Sequence, residues 1–369
     1  MKPLVTVITA TSNLIKNNRL ETFIQAVNSV REQTYKNIEH IIIDNFSTDG
    51  TQDFFKKNGL IYFSEKDDGI FDAYNKGVRY AKGKYIIFLN SDDYYHNPEG
   101  IEKCVNILEK SDADFCFSKY NAELNPDTIV EVEPDIYNTF RLMPVSHQAI
   151  MCKRELLEKY PFDIKYKRVA DYKWFMSLIL DKIPYIEHNC NFVTFRLGGQ
   201  SNNNIPQSVE ETKKIYKEIL TNIYPELSDE DINRACETSI WPENLERILM
   251  SYFPDKILYN EAMQCAYAQR TGSVPVNALT NRIKQKITDE NSCLINDFLK
   301  RFRFLWPFIY RLLFKKLSDD DKELFVNFLL KRFLRIETAS EEEIENLNIL
   351  FKHTANIYQE RKNNDETLV

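Results

Sequence analysis

The chain has 369 residues, enough for two domains of ordinary size. Its 43% hydrophobic and 28% charged residues describe a folded globular protein, and only 9 Gly and 13 Pro exclude collagen-like or linker-like character. A net charge of −7 and the lack of any nucleic-acid motif exclude a general polyanion binder. Seven scattered cysteines with no CxxC pair speak against a structural zinc site and read as reduced core thiols.

The start, MKPLVTVITATSN, has too short an apolar run and no cleavage site for a signal peptide. It reads as a buried strand over 4–9. Residues 20–33 carry Leu20, Phe23, Ile24, Val27 and Val30 at helical spacing. EHIIID (39–44) predicts a second strand, STDG (47–50) a turn into a helix, and LIYFS (60–64) a third strand. A helix over 69–81 precedes KYIIFL (84–89), and Pro98 opens a helix reaching about residue 110. Continuous apolar strands alternating with helices predict an α/β fold whose mostly parallel sheet is covered on both faces. Short strands at 114–120, 185–188 and 191–197 surround a helix at 170–180. After GGQSNNN (198–204) the pattern is helical. The reading is one domain over 1–204, with halves 1–113 and 114–204, and a helical region over 205–369. No apolar run approaches the length of a membrane span, so a cytoplasmic protein is expected.

Four clusters carry polar chemistry. Asp44 ends a strand, where open α/β sheets bind ligands. It reads equally as a ligand to a base or ribose and as a turn former. Asn90-Ser91-Asp92-Asp93 follows a buried strand, and paired carboxylates there suit Mg²⁺ or Mn²⁺ as well as an ordinary acidic turn. In SEKDDGIFDAYNKG (64–77), Asp68, Asp72, Asn75 and Lys76 share one helix edge, either at the crevice or as a solvated face. Asp171 opens the helix at 170–180, as a cap or as a base stabilised by the helix dipole.

Taken in order, VTVITATSN, SVREQTYKNIEHIIIDNFSTDGT and SEKDDGIFDAYNKGVRYAKGKYIIFLNSDD resemble the N-terminal half of a family-2 glycosyltransferase with the GT-A fold. SHQAIMCKRELL, YKRVADYKWFMSL and FRLGGQSNN resemble the acceptor half of the subgroup that builds bacterial surface polysaccharides. The resemblance spans residues 3–204. It implies a nucleotide-diphosphate sugar donor, UDP-linked by preference, and inverting transfer of a hexose to a saccharide or lipid-linked hydroxyl. It places Asp44, with Thr9 and Ala10, on the nucleoside. Asp68, Asp72, Asn75, Lys76, Asn90 and Ser91 line the rest of the donor. Asp92 and Asp93 hold Mn²⁺ or Mg²⁺. Asp171 stands at the base position, His147 and Gln148 on the acceptor side. Arg196 or the loop at 198–201 closes over the diphosphate. Asn90 departs from the family pattern, which has an acidic residue there, and a neutral oxygen weakens a metal site without abolishing it.

Two other readings compete. A sugar-phosphate nucleotidyltransferase shares the carboxylates but needs a Gly-rich N-terminal loop, and VTVITATSN contains no Gly. A non-catalytic nucleotide-sugar-binding protein has Asn90 in its favour and Asp92, Asp93 and Asp171 against it. Residues 299–335 hold ten basic and four acidic residues among many aromatics. That pattern suits peripheral contact with the inner membrane face, or a packed helical pair whose basic ends snorkel. The same helical tail is a candidate homodimer element.

Overall fold

The computed structural model describes residues 2–125, 128–196, 205–253, 259 and 263. The chain divides into two compact units, Met1–Cys236 with Trp241–Tyr259, and Glu237–Ile240 with Asn260–Val369. Nearly all of the second unit, with the basic stretch 299–335, Cys265 and Cys293, lies outside the described residues, as does the loop 197–204.

The first unit begins β1 (Val5–Thr11), α1 (Leu20–Arg31), β2 (Ile38–Asp44), α2 (Thr51–Lys57), β3 (Ile61–Ser64), α3 (Ile70–Tyr80) and β4 (Tyr85–Phe88). It continues with β5 (Tyr94–Tyr95), α4 (Gly100–Glu109), β6 (Phe115–Ser118), β7 (Tyr120–Asn125), β8 (Thr128–Val132), β9 (Ile150–Lys153), α5 (Arg154–Lys159) and α6 (Ala170–Leu180). Last come β10 (Tyr185–His188), β11 (Val193–Arg196), α7 (Ile205–Leu220), α8 (Asp229–Thr238) and α9 (Glu243–Met250). A seven-stranded sheet runs β10-β6-β9-β4-β1-β2-β3, and a smaller one runs β5-β11-β7-β8.

The large sheet is parallel except at β9, which pairs antiparallel with both β4 and β6. The alternating pattern predicted the parallel strands. It missed β9, whose four residues IMCK are too short to declare a period, and the β7–β8 hairpin, whose second strand is largely exposed. The parallel strands β1 to β4 all end at one edge. Antiparallel β9 begins at that same edge, so residues just before it meet residues just after β4.

Burial explains the central order. Val5, Val7 and Ile8 on β1, and Ile86 and Ile87 on β4, are fully buried between helical layers. Gly77 lets α3 lie against the sheet, since a Cβ there would stand 2.5 Å from Ile8 Cγ2. Phe23 and Val27 on α1 pack with Leu14, Ile42 and Phe55. Beyond residue 204, α7 buries Ile215, Tyr216 and Leu220. Tyr216 donates its hydroxyl to Arg141 O at 2.7 Å, and Glu211 accepts Arg168 N–H at 2.9 Å. The helices after the boundary read at residue 205 are therefore built into the first unit.

Candidate active site

Asp44 ends β2 and is fully buried. A buried carboxylate needs partners. It accepts from Ser47 Oγ at 2.5 Å, Ser47 N at 2.9 Å, Ser64 Oγ at 2.8 Å and Thr11 Oγ1 at 3.3 Å. Of its two sequence readings, the turn former is the one visible here: Asp44 shapes residues 45–47 at the strand tip. Thr9 is buried one residue before half-buried Ala10, with Oγ1 2.9 Å from His40 Nε2.

Gly69 starts α3 at φ 122°, ψ 176°, a backbone that only glycine adopts easily. That turn folds the acidic run back on itself. Asp68 donates its N–H to Asp72 Oδ2 at 3.0 Å, and Lys76 Nζ lies 3.0 Å from the same oxygen. Burial raises the Asp72 carboxyl, but these two donors outweigh it and hold the carboxyl below its usual range. Lys76 is also bound to the Lys66 carbonyl. Asn75, expected on the donor, faces the protein body instead: its amide clamps the Phe162 backbone, donating to O at 2.8 Å and accepting from N at 2.9 Å.

The turn after β4 separates its two carboxylates. Asp92 is 17% exposed, and its Oδ2 faces Arg19 Nη1 at 3.2 Å. Asp93 is fully buried. It accepts from Arg196 N at 2.8 Å, Asn90 Nδ2 at 2.9 Å and Gln148 Nε2 at 2.5 Å. Burial, and then the charge of Asp92, push the Asp93 carboxyl up to about 7 despite those donors. Asp93, expected beside Asp92 as a metal ligand, is instead the buried anchor of the turn. Gln148 is corrected likewise. It is fully buried and holds Asp93, so it offers the acceptor no free edge. Ser91 is buried between them. Arg196, expected over the diphosphate, is engaged on all sides. Its Nε meets Glu123 at 3.1 Å, Nη1 the Asp92 carbonyl at 2.6 Å and Nη2 Gln25 at 2.7 Å, over the Tyr94 ring.

The acceptor side meets this turn because β9 runs backwards. His147, in the 3-10 turn before β9, places Nδ1 2.9 Å from Asp171 Oδ2 and Nε2 3.4 Å from Asn90 Oδ1. Tyr74 donates to that same Asn90 oxygen at 2.5 Å and sits edge-on to the His147 ring. Asp171 lies in the first turn of α6 and is 17% exposed. Asn90, Asp92, Asp93, His147 and Asp171, scattered over more than 80 positions, thus form one connected patch. Sequence reasoning missed Tyr74 and Arg19. Tyr74 has a detectable signal, a helical position facing the strand that precedes Asn90. Arg19 has none.

A divalent cation fits this patch through Asp92. Mg²⁺ and similar hard cations are held by one or two carboxylates together with the substrate's own phosphates. A single partly exposed carboxylate suits a cation that arrives with a diphosphate. Among the described residues, another group with metal-ligand atoms lies elsewhere: Cys104, Cys116 and His188, within 4.8 Å of one another. There Cys190 N–H donates to His188 Nδ1 at 3.2 Å, which puts the neutral ring's proton on Nε2, 3.4 Å from Cys104 Sγ. A ligating histidine is arranged the other way round, donating from the nitrogen that does not face the metal. This cluster is a hydrogen-bonded part of the core.

The model of the family described as Glycosyl transferase family 2 matches residues 15–169. An uncharacterized glycosyltransferase of Methanocaldococcus jannaschii is 30% identical over 200 residues, covering 50% of this chain and 67% of that protein. The Escherichia coli UDP-Glc:alpha-D-GlcNAc-diphosphoundecaprenol beta-1,3-glucosyltransferase WfaP is 37% identical over 110 residues, 29% of this chain and 43% of WfaP. A Rickettsia conorii glycosyltransferase, uncharacterized, is 37% identical over 108 residues, 28% of this chain; the chain spans only 18% of that relative's length. Among solved structures, S. aureus TarS 1-349 in complex with UDP-GlcNAc superposes with a TM-score of 0.50 at 16% identity, covering 74% of this chain and 93% of that one. With the expected sheet, the connected patch at its carboxyl edge and a relative matched over two thirds of its length, the chain belongs to glycosyltransferase family 2 and has the GT-A fold.

Proposed function

We propose that this protein transfers a hexose, with inversion, from a nucleotide-diphosphate sugar to a hydroxyl of a saccharide or lipid-linked acceptor, in the synthesis of a surface polysaccharide. The observation that carries the reading is the 2.9 Å His147–Asp171 pair on the patch that holds Asp92. Asp171 takes the proton from the acceptor hydroxyl as that oxygen attacks the anomeric carbon from the face opposite the nucleotide. His147 aims the carboxylate, and the start of α6 stabilises its charge. One base suffices for a single displacement, so no carboxylate nucleophile is needed. Asp92 would hold Mn²⁺ or Mg²⁺, which when bound would supply positive charge to the departing diphosphate. A UDP donor and a lipid-linked acceptor are supported by the description of WfaP. A lipid-linked acceptor would bring the protein to the inner membrane face.

The test is a panel of UDP- and GDP-sugars offered with and without Mn²⁺. Asp171→Asn should still bind the nucleotide while turnover falls roughly 10²- to 10⁴-fold, the usual worth of a general base. Asp92→Asn should lose the Mn²⁺-dependent part of UDP binding. Wild-type turnover in a folded Asp171→Asn protein would refute the assignment of the base.

A further inference from the structure

Arg19 stands between the loop leaving β1 and the start of α1. Its backbone is fixed: N–H donates to Leu14 O at 2.8 Å, and the carbonyl accepts from Phe23 N and Thr22 Oγ1, each at 3.0 Å. Its side chain is 35% exposed and reaches Asp92 Oδ2 at 3.2 Å. Two arginines thus flank Asp92, and they differ. Arg196 meets Glu123, Gln25, the Asp92 carbonyl and the Tyr94 ring, which together hold its guanidinium in one position. Arg19 meets only the Asp92 carboxylate among these, and its partly exposed side chain projects from a hydrogen-bonded backbone.

We propose that Arg19 is a two-position cation. It neutralises Asp92 while the crevice is empty and moves onto the donor's diphosphate when a divalent cation takes the carboxylate. This rests on reading Asp92 as the carboxylate that holds the cation. The charges favour the exchange. A guanidinium at 3.2 Å and a divalent ion cannot share one carboxylate oxygen without strong like-charge repulsion. The arriving diphosphate supplies the alternative partner. It shares the ion with Asp92, so its oxygens come within reach of a side chain already beside Asp92. A guanidinium meets two such oxygens at once, where an ammonium meets one. Asp93, buried and already held by three donors, offers Arg19 no substitute.

The exchange gives opposite effects on two affinities, which a merely structural role cannot do. The full chain is prepared as wild type, Arg19→Gln, Arg19→Lys and Asp92→Asn, with unfolding midpoints to confirm folding. Mn²⁺ alone is titrated by electron paramagnetic resonance, and UDP by calorimetry at saturating Mn²⁺. In Arg19→Gln, Mn²⁺ alone should bind about two- to fivefold more tightly, because a partly exposed ion pair no longer competes for Asp92. UDP with Mn²⁺ should bind about tenfold or more weakly, the worth of hydrogen bonds between charged groups. Arg19→Lys should fall between the two. Unchanged or weaker Mn²⁺ binding in Arg19→Gln, or unchanged UDP binding, overturns the exchange while leaving Asp92 as the carboxylate that holds the cation. Equal Mn²⁺ binding by wild type and Asp92→Asn overturns that reading, and the exchange falls with it.

Discussion

His40 lies on β2 between neighbouring parallel strands, its Nε2 2.9 Å from Thr9 Oγ1. Burial, with a smaller contribution from the Arg31 charge, pulls its pKa down from 6.5 to about 4. The folded state therefore keeps the ring neutral where the unfolded chain would charge it. Stability from this site is complete above pH 6.5 and is lost as the pH falls from 6.5 to about 4. The loss is at most about 3 kcal/mol, an upper bound because the residue is only part-buried. Urea unfolding at several pH values should show a shallower acid decline for His40→Gln than for wild type, and parallel declines would refute the origin. Single residues of the connected patch were placed where a strand or helix end fixed them: Asp92 follows β4, and Asp171 starts α6. Gln148, Asp93 and Asn75 were misread because sequence gives residue type but not direction. Each turns its polar atoms inward to a partner 55 to 87 positions away.

At the scale of elements, α3 shows how helix and sheet set the crevice. The Gly77 Cα approaches β1 and β2 so closely that an added Cβ would meet Ile8 Cγ2 at 2.5 Å and Ile43 Cγ1 at 3.2 Å. Gly77→Ala gains helix propensity, about 1 kcal/mol, but forces two packed side chains apart, which costs about 1–3 kcal/mol. A net loss of about 1 kcal/mol is expected in chemical denaturation. Donor binding should weaken too, because α3 carries Tyr74 and Lys76; a stabilised Gly77→Ala protein would refute the close approach. The helices and parallel strands were legible because each repeats its period over several residues. Strand β9 was not. Its placement follows from the chain reversing after the 3-10 turn, a long-range choice that four apolar residues do not encode.

At the scale of the whole first unit, a buried charge ties α9 to the middle of the chain. Arg141 is fully buried, with Glu246 on its Nη2 and the Tyr259 hydroxyl 3.2 Å from its Nη1. Tyr259 in turn donates to Glu246 Oε2 at 2.6 Å. Removing the carboxylate leaves a guanidinium charge in the interior without its counter-ion, a change that costs about 3 kcal/mol or more. Glu246→Ala should lower the thermal midpoint sharply, and adding Arg141→Met should restore part of it. If the single and double variants unfold alike, the pair is not the linkage described here. Composition had suggested a separate helical region from residue 205. The amphipathic helices were legible, but which surface their apolar faces meet was not: α7, α9 and α8 as far as Cys236 belong to the sheet-bearing unit.

The backward course of β9 has a structural consequence for variation. The main sheet is left at the end of β6, Ser118, and re-entered at Ile150. Between these points the chain makes an excursion through β7, β8 and two 3-10 turns, Ile136–Asn138 and His147–Ala149. Both ends are pinned by neighbouring ladders, β6 with β9 and β4 with β9. Length and composition can therefore vary inside the excursion only away from Glu123, Arg141, His147 and Gln148, whose side chains hold Arg196, Glu246, Asp171 and Asp93. Largely exposed β8 is such a place, where replacement or extension leaves the ladders on either side of β9 undisturbed.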